Sequence, residues 1–212
     1  MKKIVLLLLI LPFYLNDFLF MAFQQDPHKF LLTDYGTRIF VLTVAFISLK
    51  KDLFSKSSYQ SPKAHLKIFL IASIALTTIG IGIDQLWGHY ITPFFHEEPF
   101  FKFPSIENSI LKWIDLTFGL ILVALSEEIV FRGHLTSWLK QKDLNPFIIV
   151  FIVSGLFGAI HWGSGINNAL MATTWSILPT FFILRYNSIY PVVIAHFMTN
   201  FISFGNFNLS IF

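Results

Sequence analysis

The sequence lacks cysteine altogether and has few charged residues. The absence of Cys among its 212 residues excludes disulfide bonds, thiolate metal sites and a cysteine nucleophile. Only 13% of the residues are charged, whereas soluble domains carry about 25%. Hydrophobic residues make up 55% of the chain, which includes 26 Phe, and the mean hydropathy is +0.67. One ordinary soluble core cannot bury so much apolar surface, so the composition favours the lipid bilayer as the solvent.

Strong net charge is also missing. The formal net charge is +3, and the basic residues lie mostly outside the apolar runs. This distribution is typical of membrane orientation and argues against nucleic acid as a partner.

Long apolar runs dominate instead, and they predict an all-α, polytopic membrane helix bundle with about seven transmembrane helices. The first run follows two lysines but no small-residue cleavage site, so we interpret it as an uncleaved span rather than a signal peptide. The second run is short, which predicts a tilted helix or a locally thinner bilayer. The predicted spans are residues 4–23, 37–49, 66–87, 113–139, 146–162, 168–184 and 189–204.

The loops between these spans differ in charge. Residues 50–67 hold five lysines and one acid, which indicates a cytoplasmic loop under the positive-inside rule. Residues 88–109 are acidic and aromatic, and the prolines within 93–105 exclude a regular helix there. The pattern predicts a cytoplasmic N-terminus and a C-terminus on the outer side.

Charged residues interrupt the fourth span in the stretch SEEIVFRGH. Glu128 and Arg132 are four residues apart on a helix, in the favourable order for an ion pair, so we expect them to be structural. Glu127 is rotated by about 100° from Glu128 and has no such partner on its own helix. Burial, or a cation from another helix, would set its charge, and either environment suits a general base. His134 lies toward the membrane surface, and we expect an interfacial rather than a catalytic role.

Two other spans carry polar residues. His161 lies in an apolar span, where a lone His is more often a hydrogen-bonded core residue than a functional one. His196 and Asn200 share a helix face and could donate to an oxyanion, or they could only join two helices. Helix lengths measured from the cytoplasmic ends place Glu127, His161, His196 and Asn200 at comparable depth.

Together these residues could perform amide hydrolysis without a covalent intermediate. A carboxylate and an imidazole can deprotonate a water, and a His–Asn pair can stabilise the charge on an attacked carbonyl. Zinc held by Glu127, His161 and His196 is an alternative that we do not favour, because these residues lack local metal-ligand spacing. Ser164 in Gly-Ser-Gly is a weaker alternative, because Trp162 stands where rhomboid proteases need a glycine.

Three short motifs in order carry a family resemblance. EEIVFR matches Glu-Glu-x-x-x-Arg, FGAIH matches Phe-x-x-x-His, and HFMTN matches His-x-x-x-Asn. Over residues 126–200 the chain resembles the CAAX prenyl endopeptidase and bacteriocin-processing (CPBP, Abi) family. The resemblance implies a catalytic core at 113–212 that forms one integrated membrane domain with the helices and loops of 1–112.

The resemblance further implies an intramembrane glutamic endopeptidase of a bacterial plasma membrane. Glu127 and His161 would activate water, His196 and Asn200 would form the oxyanion site, and Glu128 and Arg132 would support the first motif. No cofactor is expected, and the partners would be the lipid bilayer and a membrane-associated peptide or protein substrate. The sequence indicates no oligomeric state. The alternatives are a non-catalytic bacteriocin-immunity or membrane binding protein, and a proton-coupled carrier.

Overall fold

The protein is a bundle of helices in the part of the chain that the structure describes. A computed structural model describes residues 3–48, 62–96 and 98–205, and of Lys3 and residues 62–65 it describes the backbone alone. Those residues contain no β-strand, so the predicted all-α fold is confirmed. Seven helices follow one another across the described ranges: α1 Lys3–Phe23, α2 Pro27–Ser48, α3 Pro62–Leu86, α4 residues 109–140, α5 Pro146–Ala159, α6 Ile166–Tyr186 and α7 Tyr190–Phe204.

Helix α4 is longer and less regular than the others. It begins after Asn108, whose side chain accepts a hydrogen bond from the N–H of Leu111 and so caps the first turn. Two stretches with π-type turns, Asp115–Gly119 and Glu128–Leu135, interrupt its α-helical hydrogen bonding. The second stretch begins directly after Glu127 and contains Glu128 and Arg132, and π turns of this kind are frequent at functional sites.

The described helices have the length and the surface of membrane spans. Three segments are long and apolar enough to cross a bilayer, Ile4–Phe23, Pro27–Ser48 and Leu66–Phe94, while α5 and α7 are shorter apolar helices. Large apolar side chains point away from the bundle, with Ile47 81% exposed and Phe151 80% exposed. Such outward apolar surface is stable only in lipid, so the chain is an integral membrane protein.

The second span is longer than the sequence predicted. The prediction was residues 37–49, but α2 runs from Pro27 to Ser48. The first half of α2 carries the charged residues Lys29, Asp34 and Arg38. These residues lower its hydropathy, so a search for apolar runs does not detect it. Asp34 and Arg38 pair with each other inside the bundle, so the helix can still lie in the membrane. The other six predicted spans coincide with helices to within a few residues.

Helix α4 lies at the centre of the packing and positions the site. It contacts α1, α2, α5, α6 and α7, while α1 packs on α2, α5 on α6 and α3 on α7. Its Phe131 is fully buried and contacts Phe13 of α1 and Phe157 of α5 through their rings. The residues of α4 that face inward therefore meet side chains from both halves of the chain.

Residues 95–108 form an irregular segment across one end of the bundle. The prediction that this segment is no regular helix is confirmed for its described residues, 95–96 and 98–108. Phe101 is buried between Phe20 of α1 and Phe30 of α2. The backbone N–H groups of Phe100 and Phe101 donate to the carbonyl oxygen of Gly163 at 3.0 and 3.3 Å.

Part of the predicted lysine-rich cytoplasmic loop, residues 49–61, lies outside the described residues. The sidedness of the protein and the division at residue 112 stay predictions.

Candidate active site

Glu127 is buried in α4 and paired with a cation from another helix. The residue is 3% exposed, and its Oε1 accepts from Nη1 of Arg38 in α2 at 2.9 Å. The same Nη1 lies 3.2 Å from the hydroxyl of Ser126. Nε of Arg38 donates to both carboxylate oxygens of Asp34, at 2.9 and 3.0 Å. Of the two environments expected for Glu127, the structure shows the one with a cation from a neighbouring helix.

The predicted ion pair between Glu128 and Arg132 is present. Nη1 of Arg132 donates to Oε1 of Glu128 at 3.0 Å, and both side chains are fully buried. Nη2 of Arg132 donates to the hydroxyl of Ser176 at 2.8 Å, and its guanidinium lies 4.1 Å from the centre of the Phe157 ring. The pair therefore joins α4 to α5 and α6, as a structural role requires.

His161 follows the end of α5 and presents one ring nitrogen toward the site. Its Nδ1 lies 2.9 Å from the carbonyl oxygen of Phe157. A carbonyl can only accept, so Nδ1 carries the proton, and Nε2 of the neutral ring is an acceptor. The turn after His161 is held by Asp17 of α1, which accepts from the N–H of Gly163 at 2.8 Å.

His196 lies between the two adjacent carboxylates. Its Nδ1 is 2.8 Å from Oε1 of Glu128, and its Nε2 is 3.8 Å from Oε2 of Glu127. The expectation was that His196 and Asn200 act as two aligned donors. The contact with Glu128 occupies Nδ1, so only Nε2 remains for a substrate, and it donates when the ring carries both protons.

The four predicted catalytic residues line one cavity of about 520 Å³, together with Arg38. They come from two helices, α4 and α7, and from the turn after α5, and the structure brings them to the same cavity: Glu127, His161, His196 and Asn200. Oε2 of Glu127 has no hydrogen-bond partner among the described residues. A buried carboxylate, an imidazole acceptor and an amide thus line the same cavity.

Two residues of this site were missed by reasoning from the sequence. The helices of the N-terminal half carry no motif, yet α2 supplies Arg38 and α1 supplies Asp17. Asp34 and Arg38 are four residues apart, which is the same spacing that identified Glu128 and Arg132. The sequence contains this spacing, but α2 was predicted to start at residue 37, after Asp34.

His134 is more buried than expected. It is 3% exposed, with Nδ1 3.0 Å from the carbonyl oxygen of Ile129 and Nε2 3.3 Å from the hydroxyl of Ser48. Ser48 ends α2, so His134 does lie toward one end of the bundle, but it packs inside rather than at the surface. It does not line the cavity among the described residues, and these contacts give it a structural role.

The geometry of the described side chains does not support the zinc alternative. Within residues 3–48, 62–96 and 98–205, no group of three or more His, Asp or Glu side chains is placed to hold a metal ion. Glu127, His161 and His196 line the same cavity without converging as a ligand set. The expectation of a reaction without a cofactor stays a prediction.

Comparison with known proteins identifies the segment that carries these motifs. The sequence model of the family described as type II CAAX prenyl endopeptidase Rce1-like matches residues 109–202. No curated protein and no solved structure matches the chain. The matched segment contains α4 to α7 nearly complete, and with them all four predicted catalytic residues. This integral membrane protein is therefore similar to the Rce1-like family of CAAX-type proteases over residues 109–202.

Proposed function

We propose that this protein is an intramembrane endopeptidase that hydrolyses a peptide bond of a membrane-associated protein or peptide through a water activated by Glu127. The observation that carries the proposal is the arrangement around Oε2 of Glu127. This oxygen is buried and has no hydrogen-bond partner among the described residues, and its residue shares a cavity with His161, His196 and Asn200. Oε1 is occupied by Arg38, so the two oxygens of one carboxylate have different surroundings.

The first step needs a base and a second group that orients the water. Oε2 of Glu127 can accept one water proton, and Nε2 of neutral His161 can accept a hydrogen bond from the same water. The water oxygen then attacks the carbonyl carbon of the peptide, and its proton goes to Glu127.

The second step needs donors for the oxyanion and a proton for the leaving group. Nε2 of doubly protonated His196 and the side-chain amide of Asn200 can donate to the carbonyl oxygen as it becomes negative. The C–N bond then breaks and the leaving nitrogen takes the proton held by Glu127, which gives a carboxylic acid and an amine. The second water proton then passes from the acid to the amine, so the products are a carboxylate and an ammonium group. The contact of Nδ1 with Glu128 keeps the His196 ring turned so that Nε2 is the nitrogen left for the substrate.

The test replaces Glu127 by an isosteric amide. We expect Glu127→Gln in lipid nanodiscs to lose cleavage of a single-span reporter carrying a peptide library, because an amide cannot accept a proton as a base does. The matched control is Glu98→Gln, since Glu98 is an exposed carboxylate paired with Lys102 outside the cavity. Product is measured by mass spectrometry, and melting temperatures check that both variants fold.

Full cleavage by folded Glu127→Gln would exclude the proposed chemistry. Unchanged biological activity of this variant would favour the non-catalytic immunity or binding role. Proton-dependent flux in proteoliposomes that is lost in Glu127→Gln would favour the carrier.

A further inference from the structure

The cavity around Glu127 contains more acid than base. Among its described lining residues there are two fixed cations, Arg38 and Lys112, and Arg38 is already bound to Asp34 and Glu127. Lys112 is exposed and has no carboxylate at ion-pair distance among the described residues. Against these two cations stand five carboxylates, those of Asp17, Asp34, Asp84, Asp115 and Glu127.

Three of these carboxylates are oriented by neutral donors. Asp17 accepts from the N–H of Gly163 at 2.8 Å. Asp84 of α3 accepts from the hydroxyl of Ser203 at 2.6 Å, and Asp115 of α4 accepts from the hydroxyl of Tyr35 at 2.9 Å. In the part of the chain that the structure describes, none of the three has a cationic side chain at ion-pair distance. Hydrogen bonds from neutral groups orient a carboxylate, but they leave its charge in place.

Carboxylates without a cation are costly in a membrane, and they mark ligand paths more often than structural pairs. A second feature of the same cavity also suits a cation. Phe101 and Phe103 of the segment 95–108, with Phe20 of α1 and Phe204 of α7, line it alongside the acids. The faces of aromatic rings attract cations, and the attraction grows when water is excluded.

A buried group independent of the three aspartates points to a polar ligand. Oγ1 of Thr199 is on a residue that is 7% exposed and lines the cavity, and it has no hydrogen-bond partner among the described residues. It lies one residue before Asn200, on the helix that carries His196. The cavity therefore has a polar group without a hydrogen-bond partner next to the proposed catalytic residues as well.

Asp115 lies in the second turn of α4, directly after segment 95–108, and Glu127 lies further along the same helix. Asp115 precedes Glu127 by twelve residues on α4, which corresponds to about 18 Å along the helix axis. An extended peptide covers this distance with about six residues. A chain that enters at that end and reaches Glu127 would pass the aspartates first.

We propose that the cavity lined by Asp17, Asp84 and Asp115 binds a Lys or Arg side chain of the substrate, within about six residues of the bond that is cleaved. The placement relative to the cleaved bond rests on the proposed function. The preference for a cation is a binding property and does not depend on it.

The experiment measures binding rather than turnover. Three fluorescent ten-residue apolar peptides with both ends blocked differ at one central position, which is Lys, norleucine or Glu. Their affinity for the wild-type protein in nanodiscs of neutral lipid is measured by fluorescence anisotropy, and mass spectrometry confirms that each peptide stays intact. We expect the Lys peptide to bind about tenfold more tightly than the norleucine peptide, as a charge-assisted contact implies. The Glu peptide should bind least.

Matched variants test whether the aspartates of the cavity, rather than acids elsewhere on the surface, cause the preference for Lys. In Asp84→Asn/Asp115→Asn the preference for Lys should fall to less than about threefold, because the remaining contacts with a cation are few. Glu98→Gln should keep the full preference. Should the double variant fail to fold, each single variant is expected to lose part of the preference.

Equal binding of the Lys and norleucine peptides to folded wild-type protein would overturn this proposal and leave the protease proposal standing. A preference that persists in folded Asp84→Asn/Asp115→Asn would also overturn it. Full cleavage by folded Glu127→Gln, together with an intact preference for Lys, would count against the proposed function alone.

Discussion

The guanidinium of Arg38 forms ion pairs with both Asp34 and Glu127. Because its Nη1 holds Oε1 of Glu127 at 2.9 Å, the carboxylate cannot rotate freely, and Oε2 stays on the side of His196. Asp34 is itself held by the amide of Asn16 at 3.3 Å. We infer that Arg38 positions the carboxylate that we propose as the base, without contacting the substrate.

Replacing Arg38 by Met should lower kcat by about a hundredfold, because a catalytic group displaced by about 1 Å loses a factor of that order. KM should change little, and Arg38→Lys should restore part of kcat. The measurement is cleavage kinetics of the best reporter substrate, with melting temperatures as a check on folding. The control is Lys29→Met, since Lys29 is an exposed cation that pairs with Asp26. An unchanged kcat in folded Arg38→Met would contradict the positioning role.

Arg132 has a different role, because it stabilises the fold. Arg132→Met should lower the free energy of unfolding by about 3–5 kcal/mol, since it leaves the buried charge of Glu128 without its arginine partner. The matched control is Arg185→Met in the last turn of α6, where an exposed arginine should contribute less than about 0.5 kcal/mol. Unfolding is followed by circular dichroism in mixed micelles. Equal stability of the two variants would show that Glu128 is neutralised by another group.

At the scale of elements, the contact between α5 and α6 decides where His161 lies. Gly158 in the last turn of α5 faces α6 so closely that a Cβ there would collide with Thr173 Oγ1 and with the carbonyl oxygen of Ala169. His161 lies three residues further on. Its backbone is fixed to the same turn, because its N–H donates to the carbonyl oxygen of Gly158 at 2.9 Å. Separation of the two helices would therefore move the imidazole.

Gly158→Ala should lower the free energy of unfolding by about 1–3 kcal/mol through overpacking. Activity should fall as well, because His161 shifts with the end of α5. Gly155→Ala provides the control on the same helix, since a Cβ at Gly155 meets nothing within 4 Å. There the better helix propensity of Ala should leave stability unchanged or raise it by up to about 1 kcal/mol. Thermal unfolding of both variants in detergent is the measurement. Similar losses in the two would rule out close packing at Gly158 as the cause.

At the scale of the whole molecule, the described part of the bundle contains an odd number of helices. Two chain ends on opposite sides of the membrane require an odd number of spans. The predicted sidedness itself depends on the lysines of residues 50–67. The absence of Cys makes this prediction easy to test, because any introduced thiol is the only reactive one.

In intact cells, a membrane-impermeant maleimide should label Glu107→Cys and should leave Ser57→Cys unlabelled. The reason is that Glu107 lies in the acidic, aromatic loop predicted outside, and Ser57 in the lysine-rich loop predicted inside. Both variants should react after the membrane is opened, which controls for thiol accessibility. Labelling of Ser57→Cys in intact cells would reverse the topology.

Much of the fold follows from local properties of the chain. Runs of about 20 apolar residues predict spanning helices, because the backbone must satisfy its hydrogen bonds within each helix in lipid. The same spacing rule placed Glu128 and Arg132 together, since residues four apart share a helix face. The start of α2 was predicted wrongly because a charged pair that neutralises itself inside the bundle looks polar in the sequence.

The sequence by itself determined the all-α membrane fold, the ion pair within α4 and the motifs that identify the family segment. Only the tertiary structure decided that Arg38 of α2 pairs with Glu127, that Asp17 of α1 holds the turn after His161, and that His196 contacts Glu128. These contacts join residues 68 to 146 positions apart in the chain. Helix periodicity specifies which face a side chain occupies, whereas the partner of that face depends on how the helices pack against one another.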